Sequence, residues 1–465
     1  MINGVSIDAT SELQAKVRSL LEQPDTSFNA RIATASVEFE GVSPLRWLAN
    51  YPREARLYWS GRDYGMEVAA IGEADCQYSP SAADLKGLRS GLGSMLSGCE
   101  HGVRYYGGIR FDFCQPYEGQ WDSFGAWRFV LPRFEVRKDS KGTMLRCNVV
   151  VPDDRAQMNL ILEQIEALRV PVQGFKQLPK PIRHRFCPDT QKWESIVNWV
   201  LRAVQTSSLD KVVLARETTV DFPAPPEPIT ILKQLQGNSP SCFHFLFEPI
   251  PGRAFLGASP ERLFRREGRS VESEAVAGTR PRGHSDLEDE RMIDELFGSA
   301  KEQREHEFVR ISLQEEIARL AAYVTMDVQP SIMRLASEIH LVSRLRAILR
   351  QEYTSLDVLE ALHPSPAVGG YPSDLALEVI REREPFDRGW YAGPVGWIGV
   401  NEAEFAAGIR SGLVSGSVMR LYSGAGIVRG STPLDEWDEI GHKISGLAKV
   451  LDLYASSVQA DFQYA

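Results

Sequence analysis

Ser423-Gly424-Ala425-Gly426-Ile427-Val428-Arg429-Gly430 and, shortly beyond it, Pro433-Leu434-Asp435-Glu436-Trp437-Asp438-Glu439-Ile440-Gly441-His442-Lys443 are the segments on which the fold class turns. Glycines before a helix suggest a dinucleotide-binding loop. That loop, however, spaces its glycines as G-x-G-x-x-G and opens a helix at once. Here the apolar run continues past the glycines, and the helix waits for Pro433, a residue suited to a first helical turn. Residues 417–428 are therefore predicted to form a strand whose glycines let the backbone approach a ligand.

Working outward, strands cluster and helices are grouped between them. Lys211 to Arg216, Cys242–Phe247, Ala254–Ala258, Ser270–Ala277 and Phe405–Gly412 read as short β-branched or apolar strands. Residues 10–22, 155–168, 286–323 and 433–455 read as helices, and so does the stretch holding Trp193, Ile196, Val197, Val200, Leu201 and Val204. Residues 30–151 are mostly strand-like. Without strict β-α alternation, the expectation is an α+β fold of mainly antiparallel sheets flanked by helices. Prolines 171, 179, 181 and 188 mark a boundary between a region 1–185 and a region 186–465.

The helices carry paired carboxylates. Glu302 and Glu305 are three apart and share a face, as do Glu436 and Glu439, with Lys443 four residues beyond Glu439. The apolar stripe Trp437, Ile440, Ile444, Leu447, Leu451 leaves Glu436, Glu439 and Lys443 at the border of the core. Two such pairs suit a hard cation such as Mg²⁺, which takes one or two protein carboxylates and completes its shell with water or substrate oxygen. Solvated helix faces with ordinary salt bridges read equally well from spacing alone.

Lys211 shares a strand face with Val213 and Ala215. Burial there favours the neutral amine and makes it a candidate base; a strand-end lysine reaching water is the alternative. Glu261 follows Phe255-Leu256-Gly257-Ala258-Ser259-Pro260, a strand and tight turn able to project a carboxyl into a cleft. In an apolar cleft it becomes a candidate acid, and otherwise a surface glutamate. Gly278-Thr279-Arg280-Pro281-Arg282-Gly283 is either a solvent turn or a loop facing an anion.

A net charge of −10 and the lack of a Lys/Arg block exclude nucleic acid as the expected partner. An anionic ligand would need a local cationic pocket, a metal, or both. Six scattered cysteines without a C-x-x-C pair fit reduced thiols. No signal-like start and no apolar run of about 18 residues point to a cytoplasmic protein without a membrane span.

The segments Lys211 to Arg216, Phe255 to Leu263, Ala277 to Gly283, Lys301 to Glu307, Ile339-His340-Leu341, Leu362 to Val368, Arg388 to Trp397 and Ser423 to Lys443, in this order, resemble the chorismate-utilising enzymes: isochorismate, salicylate, anthranilate and aminodeoxychorismate synthases. The resemblance covers about residues 190 to 455, and Tyr106-Gly107-Gly108-Ile109-Arg110-Phe111-Asp112 resembles the isochorismate branch. It implies an aminodeoxychorismate-synthase-like fold, two lobes around a central cleft, with residues 1–185 packing onto the catalytic part. It implies Lys211 as the base that activates water for attack at C2 of chorismate and Glu261 as the acid for the departing C4 hydroxyl. Glu305 and Glu439 match Mg²⁺ ligands, with Glu302 and Glu436 close by. Arg410, Lys443 and the Gly424 backbone match holders of the substrate carboxylates, and Gly278, Thr279, His340, Ala367 and Tyr391 match pocket-lining positions. The family also implies a monomer or weak homodimer.

Within that resemblance, amine-using anthranilate synthases carry glutamine where this chain has Lys211. Aminodeoxychorismate synthases carry lysine where it has Ala277. A salicylate synthase, which goes on to eliminate pyruvate, keeps the same four chemical residues and is the nearest rival. A non-catalytic binding relative has no need of Lys211, Glu261, Glu305 and Glu439 together. The expected product, isochorismate, would feed quinone, siderophore or salicylate synthesis, with the N-terminal resemblance leaning to menaquinone or phylloquinone.

Overall fold

The computed structural model describes residues 4–24, 29–63, 65–82, 84–115, 119–168, 174–283 and 285–453. Pro171 and the last two residues of the expected 433–455 helix lie outside the described residues, as do Met1 to Asn3. Every strand pairing among the described residues is antiparallel. Helices flank the strands. The fold is thus α+β, as the absence of β-α alternation predicts. No helix among the described residues is long and apolar enough to cross a membrane. None of the six cysteines, all among the described residues, forms a disulfide.

The strands form two runs. One passes from Arg183–Cys187 through Lys211–Asp221, Val418–Val428, Ser411–Ser415, Arg253–Ser259 and Phe243–Ile250 to Arg56–Ser60. The other passes from Glu338–Leu349 through Ser270–Pro281, Arg262–Glu267, Glu402–Ala407 and Pro394–Gly399 to Arg104–Ile109. The long strand Trp127–Asp139 joins them: it pairs with Arg104–Ile109 and with Glu67–Ser79, which pairs with Arg56–Ser60. Strands from the first 140 residues therefore stitch together the two runs supplied by the second half.

The chain crosses between runs at two corners, 259–262 and 407–411. Glu261 sits in the first and Arg410 in the second. The expected continuous strand Phe405–Gly412 is in fact broken there: Arg410 has φ +50°, a left-handed conformation uncommon for a side-chain-bearing residue. Strain of this kind persists only where surrounding structure enforces it. The aromatic cluster of Trp121, Phe124, Phe255 and Trp390 packs edge to face between the runs. Gly108 admits it, since a Cβ there would lie 2.6 Å from the Trp390 ring.

Three other boundaries differ from the sequence expectation, each for a local reason. The 286–323 helix is two, because Ser299 caps a new helix, Ala300–Leu320, by accepting from the Glu302 amide. The 433–455 helix breaks at Ile444 into Pro433–Lys443 and Ser445–Val450. The strand expected to stop at Ala277 runs to Pro281, with a bulge where Gly278 takes φ +77°.

Candidate active site

The site is built at the meeting of the two runs. Lys211 opens its strand opposite Val428, and Ala215 of the same strand lies opposite Gly424. Alternation turns Lys211 inward, and it is fully buried. Its Nζ lies 2.9 Å from Glu305 Oε1, an ion pair outside hydrogen-bonding angles. Gly426 makes room for that pair: a Cβ there would lie 2.5 Å from Glu305 Oε1 and 2.9 Å from Lys211 Cε.

Glu261, also buried, lines the same cavity. Its carboxyl makes no hydrogen bond or ion pair among the described residues. Burial pushes it up to about 7, against the opposing pull of Lys211 and Lys443. The cavity's remaining walls hold Gly278, Thr279, His340, Ala367, Tyr391, Arg410, Gly424 and Lys443. Every residue proposed from sequence as base, acid or substrate contact thus meets at one cavity, and of the four proposed metal ligands Glu305 lines it as well.

The cationic side is held rigidly. Arg410 is ion-paired to buried Glu338 and its guanidinium lies 3.0 Å from His340 Nε2. The His340 ring's other nitrogen, Nδ1, is 3.1 Å from Thr279 Oγ1 and 3.2 Å from the Gly278 carbonyl. Burial alone would raise the Glu338 carboxyl, but Arg410, His340 and Lys443 together outweigh it and hold it well below the usual range. Lys443 donates to the Gly424 carbonyl at 3.0 Å and pairs with Glu439 at 2.7 Å. Burial alone would lower the Lys443 ammonium; Glu439, Glu305 and Glu338 instead raise it, so it stays charged. Tyr391 stacks on Tyr422, ring centroids 5.3 Å apart, and burial pushes its hydroxyl up to about 12.

The four helical glutamates lie beside this cavity, each with a cation. Glu302 pairs with Arg280 at 2.8 Å and accepts from the Thr279 amide at 3.2 Å. Glu436, fully buried, pairs with Lys301 at 2.7 Å. Burial raises Glu305, but Lys211 and Lys443 outweigh it and hold it below its ordinary value. Burial and the negative charge of Glu439 push Glu436 up to about 7, against Lys301. Among the described residues no three His, Cys, Asp or Glu side chains converge on one point closely enough to ligate an ion. The donor chemistry nevertheless fits a hard dication: all four are oxygen donors. Glu436 Oε2 is buried without a partner. Its carboxyl also sits against that of Glu439, a repulsion that a cation relieves.

Sequence reasoning missed several supporting groups. Glu338 precedes His340 by two, so strand alternation already put both on one face. Glu384 and Arg388 form a fully buried i,i+4 pair, Arg388 Nε to Glu384 Oε2 2.7 Å. Glu384 accepts from the Ala215 amide, and Arg388 donates to the carbonyls of Val213 and Val368. That pair clamps the Lys211 strand to the 363–368 loop. Glu384 lies just past the end of the Ser373–Arg383 helix and Pro385 follows it, so no helical period flags the pair in sequence.

Comparison with known proteins adds the following. A sequence model of the family described as chorismate binding enzyme matches residues 18–452. The isochorismate synthase MenF of Escherichia coli strain K12 is 32% identical over 421 residues, covering 89% of this chain and 92% of that protein. The isochorismate synthase MenF of Bacillus subtilis strain 168 is 34% identical over 350 residues, 74% of each. The solved structure of the menaquinone-specific isochorismate synthase from Escherichia coli superposes with a TM-score of 0.82 at 28% identity, covering 95% of this chain and 100% of that one. Anthranilate synthase component I from Streptococcus pneumoniae shares the fold, with a TM-score of 0.67 at 19% identity over 90% of this chain and 92% of that one.

Proposed function

We propose, from the premise that this chain belongs to the family of chorismate-binding enzymes, a division of labour among its residues in converting chorismate to isochorismate. The chain is an isochorismate synthase. The observation that carries the residue roles is that buried, unpaired Glu261 and buried Lys211 line one cavity whose other side is cationic.

Chorismate is a dicarboxylate. Arg410, Lys443 and the Gly424 backbone hold its carboxylates, and Tyr391, Thr279, His340, Gly278 and Ala367 shape the pocket around the ring. Lys211, in its neutral form, takes a proton from water as the water oxygen bonds to C2. The two ring double bonds each move by one position, the C4–O bond breaks, and the hydroxyl leaves with the proton of Glu261 as water. One water enters and one leaves, so atoms balance. Each of the two proton transfers contributes roughly 10²–10⁴-fold. Glu305 and Glu439, with Glu302 and Glu436 close by, would hold Mg²⁺, which supplies electron withdrawal through the ring carboxylate.

The menaquinone specificity of the Escherichia coli relative supports a role in menaquinone synthesis, and we place the enzyme in the cytoplasm as a monomer or weak homodimer. The testing experiment incubates purified protein with chorismate, with and without Mg²⁺, and follows products by chromatography beside a coupled pyruvate assay. Mg²⁺-dependent isochorismate without pyruvate is the expected result. Salicylate with stoichiometric pyruvate would move the chain to the lyase branch, and no turnover would leave only ligand binding.

A further inference from the structure

Glu261 belongs to two cavities. Besides the substrate cavity it lines a second one of about 420 Å³ on the far side of the 363–368 loop. This second cavity runs between the Ala300–Leu320 helix, the end of the Ser355–Leu362 helix and the start of the Ser373–Arg383 helix. Glu315, Glu360 and Asp374 are exposed members of its lining, whereas Glu261 and Ser273 are buried.

The cavity is lined largely by polar side chains, among them Ser273, Glu274, Ser312 and Ser373, and its volume is ample for ordered water. Of its acidic lining residues Glu274, Glu316 and Glu360 are paired to arginines, whereas Glu315 and Asp374 make no ion pair among the described residues, so the lining is net negative. Such a channel repels a dianion and passes water and protons. The substrate cavity's cationic side differs. Arg410 and Lys443 also line a separate cavity of about 470 Å³, to which Lys449 adds a third positive charge.

Turnover gives such a port a use. When the C4 hydroxyl departs with its proton, Glu261 is left as a carboxylate and Lys211 carries one extra proton. The cycle closes only when one proton reaches Glu261, one leaves Lys211, and the newly formed water moves away. With the ring of the substrate or product filling the cavity between them, Glu261 has its second cavity as the open side. We propose that the acid-lined cavity behind Glu261 is the port by which this acid regains its proton and the released water escapes, while the dianionic substrate arrives from the cationic side. The inference rests on the isochorismate synthase reading above.

The test fills the port from two different helices, with Ser312→Trp and Ser373→Trp, each beside its alanine control, in the full chain. The expected result is a kcat lowered about tenfold, within the roughly 10²-fold or more that a lost general acid costs. The KM for chorismate is expected to stay unchanged and the solvent deuterium isotope effect on kcat to rise, with both alanine variants matching wild type. Wild-type kcat and isotope effect in both tryptophan variants would overturn the port. A lower kcat without a larger isotope effect would overturn it too, as would a raised KM at unchanged kcat, which would make the cavity a substrate route. In each of these cases wild-type protein still makes isochorismate. Failure of the wild type to do so would instead strike the functional reading itself.

Discussion

Five glutamates gather at this site, and the structure treats them in two ways. Glu302, Glu305, Glu436 and Glu439 each face a cation, at 2.8, 2.9, 2.7 and 2.7 Å respectively. Glu261 has no ion-pair partner among the described residues, and burial, outweighing the pull of Lys211 and Lys443, pushes it up to about 7. Glu436 is the instructive middle case: it has Lys301, yet full burial and the neighbouring Glu439 also push it up to about 7. The proton on Glu261 is retained by desolvation and is free to be handed to a leaving group. The proton on Glu436 is retained partly by a second anion, so an arriving dication would release it. One residue type thus serves as acid or ligand according to what stands beside it.

The largest effects test the acid and base. Glu261→Gln keeps the shape of the side chain but has no acidic proton, and kcat is expected to fall roughly 10²–10⁴-fold at every Mg²⁺ concentration. Lys211→Gln is expected to do the same. Wild-type turnover in either variant, measured as isochorismate formed per enzyme, would erase the distinction drawn between the two groups of carboxylates.

A smaller and different effect is expected among the paired glutamates. Glu439→Ala should raise the Mg²⁺ needed for half-maximal rate by at least about 10–100-fold, the scale seen when even outer-shell partners of a metal are lost. Saturating Mg²⁺ should restore much of the rate, which it does not do for Glu261→Gln. A Mg²⁺ titration superimposable on wild type would remove Glu439 from the ligand set.

Next comes pH. Glu261 must be protonated to act, so the advantage of wild type over Glu261→Gln in kcat/KM should shrink as pH rises through about 7, by up to about tenfold per pH unit, since the titration of Lys211 is common to both. A wild-type to variant ratio that stays constant from pH 6 to 9 would mean that another group supplies the proton.

The same comparison shows what was legible in sequence. The pairs Glu302/Glu305 and Glu436/Glu439 were visible because helical periodicity puts residues three apart on one face. Lys211 was visible because strand alternation set its direction. The break at Arg410 was not, since Phe405 to Gly412 is uniformly strand-like by composition, and only pairing with two different strand runs forces the corner. Counter-charges from distant segments were equally hidden. Arg280 and Lys301 reach Glu302 and Glu436 through tertiary packing, and no local period encodes that. That Glu261 lacks such a partner, the fact most relevant to its chemistry, is visible only once every neighbour is in place.

The smallest expected effect is on stability, and it separates desolvation from pairing most cleanly. Glu261 ordinarily titrates near 4.5 and is pushed up to about 7 in the folded chain. Between those values the folded state binds the proton that the unfolded state has lost. Stability contributed by the protonated form is therefore lost as pH rises through this window, and the loss is complete above about pH 7. The full rise corresponds to about 3 kcal/mol. Glu261→Gln has no such titration, so relative to wild type it should gain stability from pH 5 to pH 8. A gain of about 1–3 kcal/mol is expected, since the pH-independent cost of the new amide cancels between the two pH values. Denaturant unfolding at the two pH values reads the difference directly. An offset between variant and wild type that is the same at pH 5 and pH 8 would show that Glu261 is not held protonated by burial, and the contrast with its four paired neighbours would then fail.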